Sequence, residues 1–239
     1  MLAKLFDRIR ESAGANIFEV NGITYSDKDL SLVGEKDWLP LGHKVPSLDA
    51  MVELIKHEMD RIEHKPIFVE VESEREVSVY TTYDDKFRRL MLYSTTAPRV
   101  GNTIGGWTDK EDVIIQLKAV YHPSEDVDYL LGVLSSISEE SSVQTKDDGF
   151  SQTVEARRGV AMKEMVNVKP RVSLAPYRTF LEVEQPESDF ILRLREGAQV
   201  LIKEADGGKW KLEARRRIAE YLRTKLTDEI AAGSVVVTE

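Results

Sequence analysis

Across residues 167–202 apolar side chains return at every second position in short bursts. Val172 and Leu174 form one, Leu181 and Val183 a second, Phe190, Leu192 and Leu194 a third, and Val200 and Ile202 a fourth. A period of two places one set of side chains on one face of the backbone, which is the pattern of half-buried strands. The run Glu204-Ala205-Asp206-Gly207-Gly208 then supplies turn formers, and the period lengthens. From Lys209 to Thr227, Trp210, Ala214, Ile218, Tyr221 and Leu222 share one side of a helix. Short strands closed by a helix constrain the chain to a mixed fold.

The upstream residues show both periods. Residues 2–12 suit a short helix with Leu2, Leu5, Phe6 and Ile9 on one face. Apolar runs at 17–20 and 23–25 flank Asn21-Gly22, a pair that tolerates positive φ and predicts a hairpin. Residues 26–44 are polar and read as a connecting arm, which divides the chain into residues 1–44 and a core domain of 45–239. Ser47 can cap a helix reaching about His64, with Met51, Leu54, Ile55, Met59 and Ile62 buried. Strands are expected at 67–71, 77–82 and 87–93. Thr108 and Glu111 match a capping box, and Ser124 opens another helix with Val127, Leu130, Leu131 and Leu134. Residues 142–146, a turn at Asp147-Asp148-Gly149, and residues 150–155 return to strand. The β-branched tail at 235–238 is expected as an edge strand, within this subunit or on a neighbour. The fold class is therefore α+β, with antiparallel sheets covered by helices and a basic amphipathic helix near the end. The tail and an acidic sheet face imply a homo-oligomer.

Composition narrows the chemistry. The 239 residues contain no cysteine, which excludes disulfides, thiolate zinc sites and cysteine nucleophiles. No segment has the apolar length of a signal peptide core or a membrane span, so a cytoplasmic protein is expected. Net charge is −9, which disfavours nonspecific nucleic-acid binding. The charge is uneven. Residues 209–225 carry a local +5, leaving −14 for the rest. An anionic ligand would therefore meet this helix, and Lys211, Arg215, Arg216 and Arg217 are the candidate ligand-binding residues. Successive residues diverge by about 100° on a helix, so the arginine triplet cannot all face one way.

Other constellations carry less. His57, Asp60 and His64 lie at i, i+3 and i+7, but Arg61 occupies the place where a zincin helix has its second histidine. Glu70, Glu72, Glu74 and Glu76 alternate as the wet face of a sheet requires, with no lysine two residues after a strand glutamate to suggest a nuclease. The stretch 101–106 is glycine-rich and precedes a helix, yet it matches neither a P-loop nor a dinucleotide fingerprint. Tyr80, Tyr83, Tyr93 and Tyr177 suit either a stacking platform or ordinary sheet aromatics. No catalytic residue, metal site or cofactor is assigned.

The motifs of the last third bear a family resemblance. Asp147-Asp148-Gly149, Gln152-Thr153-Val154 and Arg157-Arg158-Gly159-Val160 are followed by Leu174-Ala175-Pro176-Tyr177-Arg178-Thr179-Phe180. Val183-Glu184-Gln185-Pro186-Glu187-Ser188 then runs into Phe190-Ile191-Leu192-Arg193-Leu194. This resembles the YfdQ-like group of uncharacterised phage and prophage proteins, most specifically over residues 145–195. The resemblance transfers no catalytic residue. It implies a phage-encoded accessory protein in the host cytoplasm, acting in DNA metabolism or against host defence. The leading expectation is a non-enzymatic protein that binds a host protein or a small anionic ligand. The alternatives are a nucleic-acid-binding factor in phage recombination or replication, and a metal-dependent hydrolase using His57, Asp60 and neighbouring glutamates.

Overall fold

The computed structural model describes residues 17–20, 23–26, 42–62, 65–84, 87–101, 104–138, 141, 143–145, 152–158 and 162–239. The expected helix at 2–12, most of the connecting arm, the turns at Asn21-Gly22 and Asp147-Asp148-Gly149, and His64 lie outside these residues. The chain divides into two units, Met1–Leu39 and Pro40–Glu239. In the first unit, β1 (Ile17–Val20) and β2 (Ile23–Ser26) pair antiparallel, with Val20 opposite Ile23. That register is the antiparallel pairing expected of the two apolar runs.

The second unit holds two hydrophobic cores. In the first, β3 (His43–Lys44) precedes α1 (Leu48–Glu58), which Ser47 caps by accepting from the Ala50 amide at 3.1 Å. The helix ends earlier than expected. It tightens into a 3-10 turn over Met59–Arg61. β4 (Ile67–Ser73), β5 (Glu76–Tyr80) and β6 (Met91–Thr96) form the expected meander. The third strand starts later than its aromatic content suggests. Phe87 sits at φ 56° on an exposed turn, a backbone state that no strand accommodates. Ile67, Val69, Val71, Val77 and Val79 turn inward against Met51, Ile55, Ile218 and Leu222.

The second core opens with β7 (Trp107–Asp109) and α2 (Lys110–Ala119). Here Asp109, not Thr108, caps the helix by accepting from the Glu111 amide. Thr108 is committed to the sheet opposite Val200. α3 (Glu125–Ser136) follows, capped by Ser124 as expected. β8 (Val143–Thr145), β9 (Gln152–Arg158) and β10 (Met162–Val168) form a three-stranded sheet. β11 (Arg171–Leu174), β12 (Ser188–Arg195) and β13 (Gln199–Glu204) join β7 in a four-stranded antiparallel sheet. Phe190, Leu192, Leu194, Val200 and Ile202 pack beneath Leu117, Leu130 and Leu134.

The Leu181–Val183 burst is not a strand; it lies in a turn in which Val183 donates to Phe180. One side chain braces this turn. Gln185 Oε1 accepts from the Arg178 and Thr179 amides, and its Nε2 donates to the Phe180 and Val183 carbonyls. Four backbone groups around the turn are thus met by a side chain rather than by a neighbouring strand.

α4 (Lys209–Lys225) and the short α5 (Thr227–Ala231) then return the chain to the first core. There β14 (Val235–Thr238) completes a five-stranded sheet in the order β14-β4-β5-β6-β3. Both outer strands of this sheet run parallel to their neighbours, so it is mixed within an otherwise antiparallel plan.

Candidate functional site

α4 starts from a turn whose sequence prescribes it. Gly207 and Gly208 adopt φ 67° and 83°, a region that glycine enters without a Cβ clash. Asp206 accepts from the Gly208 and Trp210 amides at 2.9 and 3.0 Å, satisfying donors the helix leaves free. Trp210, Ala214, Ile218, Ala219 and Leu222 are buried, close to the expected stripe. Tyr221 stands at its margin and donates to Asp49 of α1. That hydrogen bond, with Lys225 adding to it against a smaller cost of burial, holds the Asp49 carboxyl below its ordinary value. Burial, and then Asp49, push the Tyr221 phenol up.

The four candidate cations do not form one cluster. Arg217 is structural: it pairs with Glu213 at 2.9 Å and Glu184 at 3.3 Å and donates to the Glu184 and Gln185 carbonyls. It fastens α4 to the 180–186 loop. Arg215 borders the buried stripe on the other flank, and its Nε is buried without an acceptor. Lys211 is exposed and 3.7 Å from Glu74. Arg216 faces solvent with no ion pair to any described residue. The divergence follows from the helical angle. Residues 215 and 217 lie about 100° either side of 216, so when 216 points outward they must flank the core.

Lys209, Leu212 and Arg216 consequently share the solvent side at i, i+3 and i+7, and Leu212 is exposed between the two cations. Two shallow grooves flank α4. One, of about 280 Å³, is lined by Glu182, Glu184, Arg217, Tyr221 and Lys225. The other, of about 430 Å³, is lined by Arg216, Glu220, Arg223, Thr227 and Glu239.

Arg178 was not singled out from sequence, yet it is the most enclosed charge described. Only 8% exposed, it donates to Glu204 at 2.7 Å, to Ser188 at 2.6 Å and to the Pro186 carbonyl at 3.1 Å. Its guanidinium stacks 3.8 Å from the centre of the Trp210 ring. Burial lowers its pKa, while Glu204 and Asp206 oppose that shift. Tyr121 lies in the same cluster, and burial pushes its phenol up to about 12. The cluster ties the start of β12, the end of β13 and the first turn of α4 together. Among the described residues, Arg178 Nε and Trp210 Nε1 meet no acceptor. No pattern in the sequence marked Arg178 as buried, since it stands between Tyr177 and Thr179.

Several of the other candidate residues are engaged within the chain. Among the described residues, no group of three or more histidine, aspartate or glutamate side chains is placed to hold a metal. His57 and Asp60 are exposed. Glu70 pairs with Arg89 at 2.9 Å and Glu72 accepts from Tyr80, as a wet sheet face does. Tyr93 is buried and donates to Glu58. Arg89 lies between the Phe68 and Tyr83 rings, so these aromatics hold a cation of the chain itself. No described helix is long and apolar enough to cross a membrane. No family profile, curated protein or solved structure matches this chain.

Proposed function

We propose that this chain is a non-enzymatic binding protein and that the N-terminal half of α4 meets an acidic partner. The observation that supports this most is the pair of cations, Lys209 and Arg216, which make no ion pair with any described residue and flank exposed Leu212 on the solvent side. Lys211 adds a third cation held only loosely by Glu74. Cations around a single apolar anchor suit an acidic protein surface, where charge guides encounter and the anchor is buried on contact. The net charge of −9 sets such a local patch apart from the field of the whole protein. With the YfdQ-like resemblance, the partner class is a host protein engaged by a phage-encoded accessory protein, with an anti-defence role as the functional consequence.

Fluorescence anisotropy with labelled polyglutamate tests the reading. The natural chain binds, binding weakens with salt, and Lys209→Glu/Lys211→Glu/Arg216→Glu weakens it by roughly tenfold or more. Equal binding by both proteins overturns the assignment of the patch. Tighter, salt-steep binding of single-stranded DNA than of polyglutamate replaces it with the nucleic-acid reading.

A further inference from the structure

We propose that β14 and the groove beside it join two copies of this chain about a two-fold axis, making one continuous sheet across the pair. The edge of β14 carries the first argument. Ile67 donates to the Ser234 carbonyl at 3.0 Å, and Val235 stands opposite Ile67 in a parallel ladder. Alternation along that ladder commits Val236 to β4 and turns the amide and carbonyl groups of Val235 and Val237 outward. Among the described residues no backbone group hydrogen-bonds to them. Apart from its four-residue length, the strand lacks the usual guards of a free edge: Val235–Thr238 contains no proline, no charge and no bulge.

Side chains carry the second argument. Val236 is 38% exposed and lies beside Phe68, on the sheet face away from α1 and α4. Antiparallel pairing about an axis at Val236 sets Val235 against Val237 of the second copy, exchanging about four hydrogen bonds. Val236 then meets its counterpart in the non-hydrogen-bonded position, where facing side chains approach most closely.

Charge carries the third. The 430 Å³ groove presents Arg216, Glu220, Arg223 and Glu239, equal numbers of each sign. A groove without net charge is a poor anion site. Set antiparallel with the two-fold axis between Glu220 and a neighbouring arginine, the order Arg216-Glu220-Arg223 along α4 brings each copy's Glu220 against an arginine of the other. Because α4 packs over β4 and β14, the same axis brings the outer flanks of the two helices together.

Sedimentation velocity on the whole chain from about 1 to 100 µM tests the interface. A concentration-dependent dimer is expected. Val237→Pro removes an outward donor and leaves the β4 ladder intact, and it weakens the dimer by roughly tenfold or more. Glu220→Arg, which places like charges face to face, weakens it similarly. Adding Arg216→Glu and Arg223→Glu to Glu220→Arg inverts the whole pattern and restores the dimer. The inverted chain loses Arg216 and so separates this interface from polyglutamate binding. A monomer at every concentration overturns the proposal. So does a dimer that withstands both Val237→Pro and Glu220→Arg.

Discussion

A buried arginine has more influence on this structure than any of the surface cations. Replacing Arg178 with alanine removes its bonds to Glu204, Ser188 and the Pro186 carbonyl and empties the space against Trp210, and a cost of about 2–4 kcal/mol is expected in urea unfolding. Arg178→Lys keeps the charge but loses the fork to Pro186 and Ser188, so it recovers only part of the stability. Asp126 is the complementary acidic case. Burial raises its carboxyl, but the Ser173 amide and the Lys169 ammonium together overcome that and hold it below its ordinary value of 3.8. A depressed folded pKa stabilises fully above the unfolded value and is lost as pH falls through the folded one. Asp126→Asn therefore lowers stability at pH 7 and removes part of the acid-induced loss below about pH 4, read by thermal melts across pH. Neither residue stood out in the sequence, because charge can be counted along a chain and burial cannot.

At the scale of elements, periodicity was a sound guide wherever a face had to be buried. α4, β12, β13 and the Ser124-capped α3 appear where the spacing places them. The failures share a cause. Thr108 yielded its cap to Asp109 because the sheet claimed it, and Leu181 alternates with Val183 in a turn stabilised by Gln185. In each case a partner distant in sequence or a polar side chain supplied the hydrogen bonds that local reading assigned elsewhere. The arginine triplet shows the same limit on function. Its divergence was legible from the helical angle, but which arginine points outward was not. Arg217→Glu is expected to destabilise by about 1–3 kcal/mol, since it breaks bonds to Glu213, Glu184 and two carbonyls. Arg216→Glu stays within about 0.5 kcal/mol. Paired chemical denaturation curves distinguish the two.

For the whole molecule, the mixed α and β content was readable from the two periods, but the division of labour between cores was not. The first core draws on residues 45–97, on Phe180 and Val183, and on residues 218–235, whereas the second lies within residues 113–202. Nothing in local pattern says that β14 will run parallel beside β4, since strand direction is decided by the path of everything between. This nesting has a consequence for how the chain is made. On the ribosome the inner core has all its parts before the outer one does, because α1, β4, β5 and β6 must wait for α4 and β14 to emerge. Through that interval a sheet rich in valine stands without its cover. A cell that makes this protein in quantity would then meet it in its most chaperone- and protease-sensitive state before α4 and β14 emerge, not after.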